Sequence, residues 1–283
     1  MDREGVKRAL VKNAQIVETL RHGKNSEQLM DTMFPPMSWI IPGFVVPGLT
    51  ILAGPPKIGK SFLAMGMACA LANGGRVFGE IKVDTAGVLL LALEDTERRL
   101  KERLLKMWVR GSTLMDIRTQ WPSGRDCLDY LDAWLNEFPQ TKAIFIDTLQ
   151  KVSGVEDSNS YRETYLAAAA LKKVADKYSV AIVAIHHTSK SVQSDFVHAV
   201  NGSVGLTGAA DTVITMRRVR MQEDGILSIT GRDVEEKEYG IHFDAGLGTW
   251  TLLAEVPKEK DAWKPRKRRD AFDSKLASSG EKE

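Results

Sequence analysis

Three groups of side chains sit at spacings that suit phosphate chemistry. The first is Gly54-Pro55-Pro56-Lys57-Ile58-Gly59-Lys60-Ser61, which fits the pattern G-x-x-x-x-G-K-[ST]. Glycines at its two fixed positions let a loop wrap so that backbone N–H groups point at phosphate oxygens, helped by the positive end of the next helix. Lys60 would reach the β- and γ-phosphates, and the Ser61 hydroxyl would ligate Mg²⁺. The stretch from Gly54 through Phe62 is therefore a candidate segment for binding ATP with Mg²⁺. The pattern is short enough to arise by chance, so its context matters: it follows an apolar strand-like run and opens a helix, as the chemistry requires.

The second group is a pair of carboxylates. Asp147 ends the apolar run Ala143-Ile144-Phe145-Ile146, and Glu94 ends Leu89-Leu90-Leu91-Ala92-Leu93. In a parallel sheet the carboxyl ends of the strands form the edge where ligands bind. Asp147 is a candidate for holding Mg²⁺ through water, its alternative being a plain cap on the next segment. Glu94 is a candidate base that aligns a water with the γ-phosphate. Its rival is helix capping, with Asp95 as N-cap and Glu94 beside the helix dipole, and both can hold at once. The third group is His186-His187, which ends Ala181–Ile185. Adjacent strand residues point to opposite faces, and no Cys/His cluster accompanies them, so the pair does not suit zinc. One histidine sensing the γ-phosphate is the sharper reading, and a satisfied core histidine the plainer one.

The elements that must carry these residues emerge from hydropathy. Leu49–Ala53, Gly87–Leu93, Ala143–Ile146, Val180–Ile185 and Thr212–Met216 are short apolar runs that read as buried strands. Between them lie helical patterns over Ser61–Ala72, Asp95–Trp108 and Arg125–Phe138, and one from the capping box Ser160–Glu163 to Tyr178. The first of these helices is apolar nearly all round, so it should be buried. Ile226–Thr230 and Thr249–Leu253 alternate more strongly and fit a terminal hairpin or antiparallel edge. Strand and helix alternating at this spacing imply right-handed crossovers and an α/β fold with a mostly parallel twisted sheet flanked by helices. Phe34 to Pro47 is too rich in proline for regular helix or central strand and marks the entry to this domain.

Composition excludes more than it assigns. The 283 residues are 43% hydrophobic and 27% charged, close to globular averages, which argues against collagen, coiled coil or a wholly disordered chain. The net charge of +2 hides a split: residues 256–283 hold nine Lys/Arg and six Asp/Glu, whereas residues 1–255 hold 30 and 31. Residues 1–40 read as an N-terminal arm or helix (Val6, Leu10, Ile16, Val17, Leu20) suited to subunit contact, 41–255 as the ATPase domain, and 256–283 as a basic, disordered tail. Cys69 and Cys127 are the only cysteines, without a CxxC or a secretory apolar segment, so a reduced, cytoplasmic setting is expected. No run approaches the ~20 apolar residues of a membrane span.

The order of these motifs, closed by Gly202-Ser203-Val204-Gly205-Leu206-Thr207-Gly208 and the adjoining Ala209–Arg218, resembles the RecA-like P-loop ATPases. Within them the chain is most similar to the RepA-type hexameric replicative helicases, over about Pro42 to Leu253. The resemblance implies a phosphate loop at Gly54–Ser61, a catalytic glutamate at Glu94, a Walker B aspartate at Asp147 and a sensor at His187, with His186 as its alternative. It implies a homo-oligomeric ring, hexameric in that family, whose sites are completed by an arginine from the neighbour. Arg232, after Leu227–Gly231, is the favoured finger, and Arg217 and Arg218 compete with it. Val152–Tyr161 and Thr188–Leu206 look like central-pore loops, and Lys190 could contact single-stranded DNA. Neither loop is strongly basic, and no primase or zinc-binding domain is seen. The leading expectation is an ATP-driven replicative helicase of plasmid or phage type. The alternative is a RecA-type ATPase that loads or remodels replication or recombination proteins. A small-molecule kinase would need a second substrate pocket and a lid, and neither is legible.

Overall fold

The computed structural model describes residues 12, 13, 17, 23–154, 161–188, 204–219 and 222–255. Val6, Leu10, Ile16 and Leu20 of the N-terminal pattern, Ser160 of the capping box, residues 155–160, Lys190 with residues 189–203, and the basic tail lie outside them. The chain divides into two compact units, Met1–Ser38 and Trp39–Glu283. In the first, α1 (Ser26–Met30) is held by a reciprocal cap: the Asn25 side chain accepts from Gln28 N, and the Gln28 side chain accepts from Asn25 N. None of its residues is buried. Among the described residues, no helix is long and apolar enough to cross a membrane.

The second unit is built on a nine-stranded sheet. Its strands are β1 (Gly48–Gly54), β4 (Gly87–Ala92), β5 (Met115–Arg118), β6 (Thr141–Asp147), β7 (Ala181–His187), β8 (Thr212–Arg218), β9 (Asp224–Gly231), β10 (Lys237–Asp244) and β11 (Thr249–Glu255). A separate two-stranded ribbon pairs β2 (Arg76–Val77) with β3 (Ile81–Lys82). The order across the large sheet is β11-β10-β9-β8-β1-β7-β6-β4-β5, parallel from β8 to β5 and antiparallel from β8 outward to β11.

Every residue of β1 and β4 is buried. That fits strands covered on both faces, where continuous apolar runs replace alternation. Side chains still divide by parity. Leu52, Val88, Leu90, Phe145 and Val183 face α2 (Lys60–Asn73) and α3 (Glu97–Lys106). Leu49, Ile51, Leu89, Leu91 and Ile144 face α4 (Gly124–Glu137), α5 (Leu149–Ser153) and α6 (Tyr161–Tyr178). In α2, Leu63, Met65, Met67 and Leu71 are at most 2% exposed, each worth about 1.5–3 kcal/mol of burial.

Two sequence expectations need correction here. The terminal strands form the antiparallel edge but not one hairpin: β9 and β11 are separated by β10, whose Tyr239, Ile241 and Phe243 alternate with Glu238, Gly240 and His242, a period-2 pattern that the sequence reading passed over. That strand pairs on both sides. The helix expected from Asp95 begins at Glu97, because Thr96 is the N-cap and its hydroxyl accepts from Arg99 N. The Asp95 carboxylate is instead taken by Arg99 and Arg103 of the same helix. Between Phe34 and Pro47 there is no helix or strand, only an isolated bridge of Ile41 with Val45.

Candidate nucleotide site

Register brings the reactive residues to one edge. Gly54 lies beside His187, and Ala92 beside Asp147; with Ile146 beside Ala184, β4 and β6 end two residues short of β1 and β7, all four on the same carboxyl edge. From Gly54 the chain turns through Pro55–Ile58 and enters α2 at Lys60. Gly59 is the N-cap with φ +101°, and an added Cβ would lie 2.8 Å from Cζ2 of Trp250. A Cβ on Gly54 would lie 2.5 Å from the Met216 carbonyl oxygen. Both fixed glycines thus permit a backbone path closed to other residues.

The Lys60 side chain is 3% exposed. Its Nζ donates to the carbonyls of Gly54 and Pro55, both at 2.7 Å, and lies 3.1 Å from His187 Nδ1. Burial pulls the ammonium from 10.5 down to about 8, against the opposing pull of Asp147 and then Glu94. An ammonium can only donate, so Nδ1 of His187 accepts and its Nε2 carries the proton. That Nε2 lies 3.8 Å from Glu94 Oε2, beyond hydrogen-bond length. Burial and Lys60 both lower the His187 pKa, which keeps the ring neutral at pH 7. His186, on the opposite face of β7, is pulled down to about 4 by burial.

Asp147 is 7% exposed, and burial raises its pKa, while a hydrogen bond from the Ser61 hydroxyl opposes that shift. A hydroxyl and a carboxylate that meet at a phosphate loop are oxygen donors of the kind Mg²⁺ prefers. The Glu94 carboxylate accepts from Thr148 Oγ1 at 3.2 Å. Lys60, Ser61, Glu94, Asp147 and His187 are therefore brought together.

The sequence model of a family described as an AAA domain matches residues 17–193. The chain belongs to that AAA domain family. No curated protein matches it in sequence. Among solved structures it is similar to a DnaB-like replicative helicase, described with its interactions with primase, at 15% identity and a TM-score of 0.63 over 88% of this chain and 75% of that one. A separately solved ATPase domain gives 16% identity and a TM-score of 0.62 over 89% and 100%. The KaiC-like protein PH0186 from Pyrococcus horikoshii OT3 gives 12% and 0.54 over 77% and 100%. These likenesses establish the fold, which is that of the RecA-like P-loop proteins.

The three arginines weighed as the finger lie beyond the matched residues, each in a different setting. Thr212 pairs with Gly231, which puts Arg232 at the amino ends of β1 and β8, the edge opposite the phosphate loop. Arg232 Nη1 lies 3.4 Å from Asp211 Oδ1, and Nη2 donates to the Gly208 carbonyl at 3.2 Å. Asp211 is also bound by Lys172 Nζ at 2.7 Å and by Leu49 N at 3.0 Å. Arg217 pairs with Glu238 at 2.7 Å. Arg218 stands over the rings of Phe243 and Trp250, at 4.9 and 5.3 Å.

That stack is the part of the site that sequence reasoning missed. Trp250 Nε1 donates to the Gly59 carbonyl at 3.2 Å, and Phe243 packs edge-on against Phe62 at 5.6 Å. Arg103 stands over the other ring of that pair, Phe62, at 4.9 Å. An arginine-faced aromatic cluster thus borders the phosphate loop. The alternation of Thr249–Leu253 signalled a strand, but nothing local signalled its contact 191 residues away.

Proposed function

We propose that this chain is an ATP-hydrolysing oligomeric motor acting on single-stranded DNA, a replicative DNA helicase of the plasmid or phage type. The observation that carries the reading is the convergence of Lys60, Ser61, Asp147, Glu94 and His187 on one sheet edge. Lys60 and the amides opening α2 bind the phosphates. Ser61 and Asp147 would hold Mg²⁺, which would neutralise charge on the phosphates. Glu94 aligns and deprotonates the attacking water. His187, touching Lys60 and facing Glu94, reports the state of that site to the segment after β7.

Arg232 lies on the edge opposite its own phosphate loop, which supports a role in completing a neighbour's site rather than its own. This matches a ring, hexameric in the related helicases. The likeness to a solved replicative helicase that interacts with primase supports DNA replication as the setting. The outer face of Arg218, stacked on Phe243 and the buried Trp250, would receive the adenine base, because planar cations and rings stack on π systems.

Strand displacement from a forked duplex tests the reading. Wild type with ATP and Mg²⁺ is expected to release the labelled strand, whereas Lys60→Ala and Glu94→Gln are not. Robust ATP hydrolysis without release, on forks of either polarity, would replace the helicase with a loading or remodelling ATPase.

A further inference from the structure

Thr148 is the residue at this edge whose side chain does something its position does not call for. It is 1% exposed, follows Asp147, and is the N-cap of α5. Threonine is favoured at an N-cap because its hydroxyl oxygen accepts an orphan amide of the first turn, worth about 1 kcal/mol. Here no side-chain cap forms, and the turn is closed by the backbone, Lys151 N to Thr148 O at 3.0 Å. The hydroxyl instead donates to Glu94 Oε1 at 3.2 Å, joining the end of β6 to the end of β4. A local preference given up beside a reactive group marks a functional constraint.

We propose that Thr148 is a positioning residue for Glu94: its hydroxyl holds Oε1 so that Oε2 is the oxygen presented to the attacking water. This rests on the reading of Glu94 as the general base. The Glu94 side chain is 42% exposed, so nothing but such contacts fixes its last torsion. That torsion is broad and nearly two-fold for a glutamate. Thr148 removes the ambiguity. One oxygen accepts the hydroxyl proton, while the other, facing His187 Nε2 at 3.8 Å, keeps its accepting capacity. Because Thr148 also opens α5, a shift of that helix moves the tether and with it the base.

The test is Thr148→Val, which keeps the side-chain shape and removes the hydroxyl, measured beside Thr148→Ser, which restores it. Thr148→Val is expected to lower kcat by about tenfold or more while KM for ATP stays within about twofold, since misplacement by an ångström costs that order of rate. Thr148→Ser is expected to return kcat to near wild type. A merely structural hydroxyl would lower the melting temperature without this split. Wild-type kcat in Thr148→Val, or failure of the serine to rescue, overturns the proposal. If the valine variant does not fold, Thr148→Ala against Thr148→Ser makes the same comparison. Glu94→Gln separates the two layers. Full turnover there would remove the role of Glu94 itself, whereas an inactive Glu94→Gln beside a fully active Thr148→Val would remove only that of Thr148.

Discussion

Raising the pH should loosen ATP binding through a single group, Lys60. The buried ammonium has its pKa drawn from 10.5 to about 8 in the ligand-free chain. Phosphate oxygens placed against it restore the charged form, so the bound-state value returns toward 10.5 or above. Binding above pH 8 must then take up a proton. While the bound lysine stays protonated, Kd grows as 1 + 10^(pH − 8), about twofold at pH 8, about 11-fold at pH 9 and about 30-fold at pH 9.5. Few other site groups interfere in that window. His186 and His187 are already neutral, and burial pushes Cys69 to about 12 and Cys127 to about 11. Titration of a fluorescent ATP analogue at fixed ionic strength and Mg²⁺ measures the effect, with Lys60→Met as the control expected to show none. Stability of the ligand-free chain moves the other way. Its folded pKa is below the unfolded one, so the unfolded chain holds the extra proton between pH 8 and 10.5, and stability attributable to Lys60 rises with pH by up to about 3 kcal/mol. An affinity that changes less than about twofold between pH 7 and 9.5 would refute the buried-ammonium account.

The geometry sets three further outcomes. Gly59→Ala puts a Cβ at φ +101° and 2.8 Å from Trp250, so it should cost at least about 1–2 kcal/mol in stability and weaken ATP binding about tenfold or more; a nucleotide titration with wild-type affinity would contradict it. Asp211→Ala leaves the Leu49 N–H buried and deprives Lys172 of its closest partner, so urea unfolding should show a loss of about 2–4 kcal/mol, and a loss below about 1 would mean that the network adds little. Arg232→Ala mixed with wild type should lower the ATPase rate of the assembled form more steeply than its fraction in the mixture, whereas a strictly linear decline would exclude completion of one subunit's site by another.

The strand-end residues were legible because two local signals coincided. Apolar runs doubly buried in a parallel sheet are recognisable without alternation, and three of them ended on a residue that mattered, Gly54, Asp147 and His187, with Glu94 two residues beyond β4. The pairings made at a distance were not legible. Lys237–Asp244 does carry a period-2 strand pattern in Tyr239, Ile241 and Phe243, but nothing local says that it lies between β9 and β11. Phe243 and Trp250 reach the phosphate loop through the sheet, and the sequence records neither contact. For Asp95 a clue against capping was present. Arg99 and Arg103 lie four and eight residues beyond it, one and two helical turns on, where ion pairing competes with capping. Thr148 hid behind an ordinary appearance, since a threonine before a short helix looks like a cap.

The central claim is that ATP is hydrolysed at this edge and that hydrolysis is coupled to single-stranded DNA. Steady-state ATP hydrolysis, measured with and without single-stranded DNA on a sample of known mass in solution, tests it most directly. Turnover is expected to rise with DNA in an oligomeric sample and to disappear in Glu94→Gln, which still binds nucleotide. Turnover indifferent to DNA would contradict the coupling, and turnover that survives Glu94→Gln would contradict the site.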